Sequence, residues 1–383
     1  MTWEFATAGR IVFGAGAASQ IASAARTMGK RALLVTGRKP RQAARIVADL
    51  HGAGVGCSPF ATEGEPTLDT VRSGVETARR EGCDLVIACG GGSAIDAGKA
   101  IAAMLANPGD VLDYLEVIGR GQPLAAPPAP FIAVPTTAGA GSEATRNAVL
   151  LSPEHRVKAS LRSPLMLPRL AVVDPELTLS VPPEVTAATG LDALSQLLEP
   201  FVSVRANPMT DMLCREGLRR AGRSLRRVFE DGSDLEARSD MAMASLLSGM
   251  ALANAGLGAV HGFAAPAGGA FPAPHGAVCA ALLAPVTRAN LRALRQREPG
   301  SPAIEKYAEA ARLLDPSARS ADDLPEWLDQ IRIDLKIPRL SEYGIRAADI
   351  PALCEKAARA SSMKGNPIPL LPSELEEILQ AAL

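Results

Sequence analysis

Residues 83–100, CDLVIACGGGSAIDAGKA, join a short apolar run, three consecutive glycines and the start of an Ala-rich segment. The run Leu85–Cys89 predicts a strand that is buried on both faces. Ser93 is a candidate N-cap for a helix from about Ala94 to Ala106. Free N–H groups and the dipole at such a helix start attract anions, and glycines let a phosphate approach the backbone. The stretch therefore predicts a nucleotide-phosphate site; the alternative is a tight turn that binds nothing.

Strands and helices alternate through the first half of the chain. Apolar runs predict strands at 10–13, 32–36, 55–60, 85–89 and 131–134, with helical segments between them. This alternation predicts a parallel, doubly wound sheet, and ligands of such sheets bind beyond the carboxyl ends of the strands. Three glycine-rich or polar turns follow these strands, at 37–39, 90–93 and 135–139.

The second half of the chain is predicted to be helical. Long Ala/Leu-rich stretches predict helices at 183–204, 207–229, 235–255, 276–295, 302–314, 323–334, 346–361 and 373–383. Ser373 and Glu376 predict a capping box at the start of the last one. The chain is thus expected to be α/β plus all-α, with a nucleotide-binding domain at 1–180 and a helical metal and substrate domain at 181–383.

Composition narrows the classes of function. The 383 residues carry a net charge of −1 and only 3% aromatic residues, so neither a nucleic-acid nor a membrane partner is indicated. Six scattered cysteines without a CxxC pair are typical of reduced thiols in a cytoplasmic protein. We expect no signal peptide and no transmembrane helix.

A polar constellation lies in the helical half. Asp192 and Gln196 are four residues apart, which places both on one face of a helix. His261 and His275, two of only four histidines, flank a glycine-rich stretch that we expect to be a loop. Two imidazoles, a carboxylate and an amide oxygen would form a mixed N/O site for Fe²⁺ or Zn²⁺. A solvated helix face and core histidines are the alternatives.

Together these motifs resemble the iron-containing (group III) alcohol dehydrogenases, a family related to the maleylacetate reductases. The resemblance is carried, in the family's order, by Arg10–Gly14, Gly90–Lys99, Pro135–Glu143, Asp192, His261, His275 and Asn366-Pro367. It implies a Rossmann-like α/β domain and a helical domain, the dehydroquinate synthase-like fold, with the active site in the cleft between them. It also implies a homodimer that uses NAD(P) to interconvert alcohols with aldehydes or ketones.

The resemblance implies roles for individual residues. It assigns the nucleotide to Gly90, Gly91, Gly92, Ser93, Asp96, Thr136, Thr137, Ser142 and Lys158, with Gly90 to Ser93 on the pyrophosphate. It assigns the metal to Asp192, Gln196, His261 and His275.

Three positions depart from the family pattern. Gln196 replaces a histidine ligand, and an amide oxygen is a poorer donor to iron or zinc than imidazole. Ala265 replaces a histidine proposed for proton relay, which leaves the catalytic acid and base unknown. Gly37 stands where NAD-preferring members often carry an aspartate. Because Arg38 and Lys39 follow it, we expect tolerance of NADP(H).

We expect hydride transfer between nicotinamide C4 and a carbonyl or carbinol that a divalent metal polarises. A metal-free maleylacetate reductase is the alternative; Gln196 and Phe5–Gly14 favour it slightly, and Asp192 disfavours it. A sugar-phosphate cyclase and a nucleotide-binding protein without turnover are the further alternatives. The residues do not name the substrate.

Overall fold

The computed structural model describes residues 2–38, 43–155 and 157–383, and it forms two compact units. The α/β unit comprises Thr7–Thr137 and Gly141–Ser180. The helical unit comprises Val181–Leu383, residues 138–140 and an N-terminal segment that ends at Ala6. The predicted domains 1–180 and 181–383 differ from these units at the N-terminal segment that ends at Ala6 and at residues 138–140, which both belong to the helical unit. Lys39 lies outside the described residues.

A parallel sheet forms the centre of the α/β unit, as predicted. Its strands are β1 (Ile11–Phe13), β2 (Arg31–Thr36), β3 (Gly56–Ala61), β4 (Leu85–Gly90), β5 (Phe131–Pro135) and β8 (Leu170–Val173). In the described part of the chain they pair in the order β1-β8-β5-β4-β2-β3, and each pairing is parallel. The helices of this unit are α1 (Ile21–Arg26), α2 (Ala43–Gly52), α3 (Leu68–Arg80), α4 (Gly92–Ala106) and α5 (Val111–Tyr114).

The glycine turn leads from β4 directly into α4. All six residues of β4 are buried, as the apolar run predicts. The N-cap is Gly91, in an extended conformation with φ −72° and ψ −177°, and the helix begins at Gly92. The prediction of Ser93 as N-cap is wrong, because Ser93 already lies inside the helix, where a cap residue cannot sit.

Three strands of the structure were not predicted from the sequence. β6 (Asn147–Ser152) and β7 (Val157–Arg162) form an antiparallel pair outside the main sheet. Their buried side chains alternate with more exposed ones. β7 has no continuous apolar run, whereas the run Ala148–Leu151 of β6 was overlooked in the sequence. The third, β8, has only four residues, all buried.

Among the described residues, the helical unit contains nine α-helices. They are α6 (Pro183–Val202), α7 (Pro208–Glu230), α8 (Leu235–Ala255), α9 (Ala259–Ala270), α10 (His275–Arg297), α11 (Pro302–Leu314), α12 (Asp323–Asp334), α13 (Ile350–Arg359) and α14 (Pro372–Ala382). The capping box predicted at Ser373 is wrong. The N-cap is Leu371, whose N–H donates to Glu374 Oε2 at 2.7 Å.

The predicted glycine-rich loop between the two histidines is instead mostly the helix α9. Its residues Val260, Phe263 and Ala264 are buried in the core of the helical unit. A Cβ on Gly262 would come within 2.8 Å of Met363 Cε, so glycine permits this close packing. Burial of an apolar face stabilises a helix that its own glycines and Pro266 disfavour.

Helix α10 is the one described helix that is by itself long and apolar enough to cross a membrane. Its most apolar window is 89% buried inside the protein, which is typical of a core helix. Helices α8 and α9 pass the same test only as a pair, and the chain bends by 101° between them. These helices are therefore weak evidence for a membrane span.

Candidate functional site

Three predicted turns of the nucleotide site lie side by side at the carboxyl edge of the sheet. The Thr136 N–H donates to the Gly90 carbonyl oxygen at 2.9 Å, which joins the turns after β5 and β4. A Cβ on Gly90 would lie 3.4 Å from Gly37 N, and one on Gly91 would lie 3.4 Å from Thr137 Oγ1. Glycines at this edge leave the backbone open beside two threonine hydroxyls and the N-terminus of α4. This arrangement suits a phosphate group.

A buried lysine anchors the loop that follows β5, and sequence reasoning gave it no role. The Lys99 ammonium group donates to the carbonyl oxygens of Ser142 and Asn147 at 2.8 and 2.7 Å, and to Thr145 Oγ1 at 2.9 Å. Burial lowers the pKa of Lys99 to about 8, although the nearby Asp96 carboxylate opposes this shift. Ser142 thus contributes its carbonyl oxygen to a contact within the protein.

Two other predicted nucleotide ligands also contact protein groups. Asp96 is buried, and its Oδ2 accepts a hydrogen bond from the Val149 N–H at 3.1 Å. Burial raises the pKa of Asp96, and Lys99 offsets part of this shift. Lys158 Nζ lies 2.5 Å from Glu65 Oε1 in an ion pair. The predicted contacts of Asp96 and Lys158 with a nucleotide therefore stay predictions.

The predicted determinant of NADP(H) tolerance lies after β2. Arg38 is exposed, and its Nε lies 3.6 Å from Glu63 Oε1 in a solvent-exposed ion pair. A surface pair of this kind contributes little to stability, so Arg38 can exchange Glu63 for a phosphate at little cost. A Cβ on Gly37 would meet no heavy atom within 4 Å.

Four side chains of the types that can bind a metal converge within the helical unit. Asp192 lies on α6, His261 on α9, and His275 and Cys279 on α10, and their donor atoms all lie within 4.8 Å of one another. Asp192 Oδ1 is 3.4 Å from His261 Nε2 and 3.8 Å from His275 Nε2. Three predicted ligands, which come from distant parts of the sequence, are thus brought together, and Cys279 joins them.

The carboxylate at the centre of this cluster fits a bound cation. Asp192 is 4% exposed, and within the described residues its Oδ1 has no hydrogen-bond partner. A buried carboxylate oxygen without a partner is costly unless a cation or a donor satisfies it. Imidazole nitrogens and a thiol surround this oxygen, and these are donors that divalent transition metals accept. The residues therefore fit a divalent metal ion.

A second carboxylate orients His261. Glu199 Oε2 lies 2.7 Å from His261 Nδ1, and Glu199 Oε1 accepts a hydrogen bond from the Val260 N–H at 2.6 Å. When Nδ1 donates its hydrogen to Glu199, Nε2 is left free to bind a metal. Metal-binding histidines usually have such an outer carboxylate or carbonyl partner. Glu199 is itself buried, which holds the pair in a fixed geometry.

The pKa shifts of the cluster favour anionic donors. Burial opposes ionisation of Asp192, but His275 and His261 outweigh it and hold the pKa of this carboxyl below its usual value. The same histidines lower the pKa of the Cys279 thiol against the effect of burial. Burial disfavours the charged form of His261, but Cys279, Asp192 and Glu199 raise its pKa well above the ordinary value. A divalent cation would replace protons on these imidazoles.

Two family models match this chain almost end to end. The model described as "Iron-containing alcohol dehydrogenase" matches residues 8–175, and "Fe-containing alcohol dehydrogenase family, C-terminal" matches residues 186–383. The chain belongs to the iron-containing alcohol dehydrogenase family. The predicted family membership is thereby confirmed, and so is the fold of a parallel-sheet unit with a helical unit.

Named relatives of this alcohol dehydrogenase agree with the family models. The 1,3-propanediol dehydrogenase of Citrobacter freundii is 36% identical over 384 residues, covering 97% of this chain and 96% of the relative. The choline dehydrogenase of Bacillus subtilis (strain 168) is 35% identical, covering 88% and 84%. A solved 1,3-propanediol oxidoreductase superimposes with a TM-score of 0.92 at 35% identity, covering 100% of both chains. The chain is thus a metal-dependent alcohol dehydrogenase, an oxidoreductase that acts on CH–OH groups.

Two of the three positions that depart from the family pattern, Gln196 and Ala265, lie in the helical unit, each one helical turn beyond a predicted metal ligand. Gln196 is buried on α6, and its Oε1 accepts a hydrogen bond from Ser248 Oγ at 3.0 Å. Gln196 as a metal ligand stays a prediction. Ala265 lies on α9, one turn beyond His261, and its side chain has no group that can carry a proton.

Sequence reasoning missed Glu199 and Cys279, although their spacing contains a signal. Glu199 lies seven residues after Asp192 on the same helix, a spacing that returns to the same face. Cys279 lies four residues after His275 and also shares its face of a helix. The second signal could be recognised only if a helix were predicted to begin at His275 itself.

Proposed function

We propose that this alcohol dehydrogenase interconverts small alcohols with aldehydes or ketones by using NAD(P)(H) and a divalent metal held by Asp192, His261 and His275. The observation that supports this most strongly is the convergence of the two imidazoles on the unpaired, buried Asp192 Oδ1. When bound, the metal ion acts as a Lewis acid that polarises the carbonyl or carbinol oxygen.

The chain's own residues prepare this site for a cation. Asp192 supplies negative charge, and its lowered pKa keeps the carboxylate ionised near neutral pH. Glu199 fixes the ring of His261 through Nδ1, so that Nε2 faces the other donors. The glycine turn and Thr136–Thr137 supply the phosphate and ribose contacts of the nucleotide. Since the methyl side chain of Ala265 cannot relay a proton, water would have to carry the proton from the substrate.

We also propose the nucleotide cofactor, the cellular compartment and the oligomeric state of this enzyme. A sulfoacetaldehyde reductase from Bifidobacterium kashiwanohense, solved in complex with NAD⁺, has a TM-score of 0.88 to this chain at 28% identity, which supports NAD(H) as one cofactor. All six cysteines are free thiols, which supports a reducing, cytoplasmic location. The family resemblance supports a homodimer.

Replacing Gly37 with aspartate should shift the nucleotide preference toward NADH. A carboxylate there would accept a hydrogen bond from a ribose 2′-OH and repel a 2′-phosphate. The backbone has room for the side chain, so we expect a folded enzyme. We expect kcat/KM for NADPH to fall at least about tenfold, equivalent to about 1.4 kcal/mol, with little change for NADH.

The control for this change is Gly52→Asp, which adds the same charge to an exposed and equally open position at the end of α2. Steady-state kinetics with both nucleotides would be measured for the wild type and both variants. An equal loss of NADPH activity in Gly52→Asp would contradict a local role of Gly37.

The proposed function is tested by metal content together with turnover. Protein purified without chelator or affinity nickel should contain near-stoichiometric iron or zinc by plasma mass spectrometry. Removal of the metal should abolish NAD(P)-linked turnover of a panel that includes 1,3-propanediol, choline and simple aldehydes, and it should lower Tm through binding linkage. Adding Fe²⁺ or Zn²⁺ back should restore both.

Two results would overturn the proposal. A metal-free protein that reduces an unsaturated keto acid would be a maleylacetate reductase-like enzyme. Tight nucleotide binding without turnover, even after metal is supplied, would indicate a nucleotide-binding protein. Turnover of the unsaturated keto acid separates these two results, and calorimetry with NADH and NADPH on the same samples measures the nucleotide binding.

A further inference from the structure

Cys279 is placed as a metal ligand would be, although sequence reasoning gave it no role. It lies one turn after His275 on α10 and is fully buried. Its Sγ is 3.7 Å from His275 Nε2 and 3.8 Å from His261 Nε2. The same sulfur belongs to the group of donor atoms, including Asp192, that all lie within 4.8 Å of one another.

The surroundings of Cys279 differ from those of the chain's other cysteines. Among the described residues, it is the one cysteine whose sulfur belongs to a group of donor atoms that could hold a metal ion. Two imidazole nitrogens, His261 Nε2 and His275 Nε2, face this sulfur. Thiolate is the form of cysteine that binds metals. Cys279 is therefore the cysteine whose position suits a metal ligand.

Cys279 also supplies the strong fourth metal donor that Gln196 does not. The Gln196 Oε1 already accepts the Ser248 hydroxyl hydrogen, and a neutral amide oxygen is a weak donor to zinc or iron. A thiolate adds a second negative charge beside the Asp192 carboxylate. Together these two anions neutralise a divalent cation in a buried site, where an unbalanced charge is costly.

We propose that the Cys279 thiolate is a ligand of the metal ion together with Asp192, His261 and His275, and that it makes this site select Zn²⁺ over Fe²⁺. This inference rests on the metal-dependent function proposed above. Thiolate and imidazole donors suit zinc. Because a zinc site sometimes expands from four to five ligands in the transition state, four protein donors would still admit a substrate oxygen.

Cobalt substitution tests this ligand without measuring activity. Co²⁺ would be added to the full-length, chelator-stripped protein, and its absorption spectrum recorded. We expect an intense near-ultraviolet thiolate-to-cobalt charge-transfer band beside the visible ligand-field bands. Cys279→Ser and Cys279→Ala should lose the charge-transfer band. The control Cys57→Ser, which removes a half-buried thiol of the α/β unit, should keep it.

X-ray absorption at the zinc edge of the wild-type protein needs no variant and therefore does not depend on how Cys279→Ser folds. We expect one sulfur scatterer at about 2.3 Å beside nitrogen and oxygen scatterers at about 2.0–2.1 Å. In metal competition, the wild type should prefer Zn²⁺ over Fe²⁺ at least about tenfold more strongly than Cys279→Ser does.

The outcomes separate this inference from the function on which it rests. Stoichiometric cobalt with ligand-field bands but no charge-transfer band, or a zinc edge without sulfur, would overturn the role of Cys279 and leave the metal-dependent function standing. A chain that binds neither cobalt nor zinc would overturn both.

Discussion

Replacing Asp192 with asparagine should remove the metal from this alcohol dehydrogenase and lower kcat at least about a thousandfold, equivalent to about 4 kcal/mol of transition-state stabilisation. Asparagine has nearly the same shape but no charge, so the site loses the carboxylate on which both histidines converge. The substitution should not unfold the helical unit, because the Asp192 Oδ1 makes no hydrogen bond among the described residues. Metal content and alcohol oxidation measured on one preparation check this.

The matched control is Asp240→Asn, which changes another buried carboxylate of the same helical unit. Asp240 accepts hydrogen bonds from Arg223 and the Ser224 hydroxyl and belongs to no metal cluster among the described residues. We expect this variant to lower Tm but to keep its metal, whereas Asp192→Asn should lose the metal. If Asp192→Asn keeps stoichiometric metal and activity within tenfold of the wild type, the carboxylate does not hold the ion.

Local pattern was enough to predict five of the six strands of the α/β unit's sheet, but not β8 or the antiparallel pair β6 and β7. Leu85–Cys89 is a continuous apolar run, and a central parallel strand buries both faces, so the run and the strand coincide. In β6 and β7 only alternate residues are buried, and their partners come from one another rather than from the sheet. Short half-buried strands of this kind depend on tertiary pairing, which a single sequence does not display.

The segment around His261 shows where intrinsic helix propensity gives a wrong prediction. Residues 259–270 contain three glycines and a proline, which normally indicate a loop. The chain nevertheless forms α9 there, because the helix buries Phe263 and other apolar side chains against its neighbours. The gain from packing outweighs the intrinsic cost, and only the tertiary structure shows it.

The candidate metal site was also predictable only in part, because some of its contacts appear only in the tertiary structure. Asp192, His261 and His275 were recognised through residue type and family resemblance, and the structure brings them together from three helices. Glu199 and Cys279 carry no such marker, because a buried glutamate or cysteine is ambiguous until its neighbours are known. Their contacts with His261 and His275 depend on where α9 and α10 begin, and helix ends are difficult to predict from sequence.

Replacing Glu199 with glutamine should weaken metal binding about 10- to 100-fold although Glu199 is not expected to bind the ion. Glutamine has one acceptor oxygen, whereas both oxygens of Glu199 are engaged, by the Val260 N–H and by His261 Nδ1. If the amide oxygen stays on Val260, the amide NH₂ faces Nδ1 and favours the tautomer with its proton on Nε2, the nitrogen that faces the other donors. The opposite orientation sets two donors against each other at Val260.

The dissociation constants of Zn²⁺ and Co²⁺, measured by competition with a chromogenic chelator, would report this positioning role directly. The matched control is Glu374→Gln, a buried glutamate of α14 that pairs with Arg297 in the same unit. Its loss should lower Tm and leave metal affinity unchanged, because a merely structural carboxylate does not influence the tautomer of His261. Equal metal affinity in Glu199→Gln and the wild type would mean that His261 keeps its orientation without the carboxylate.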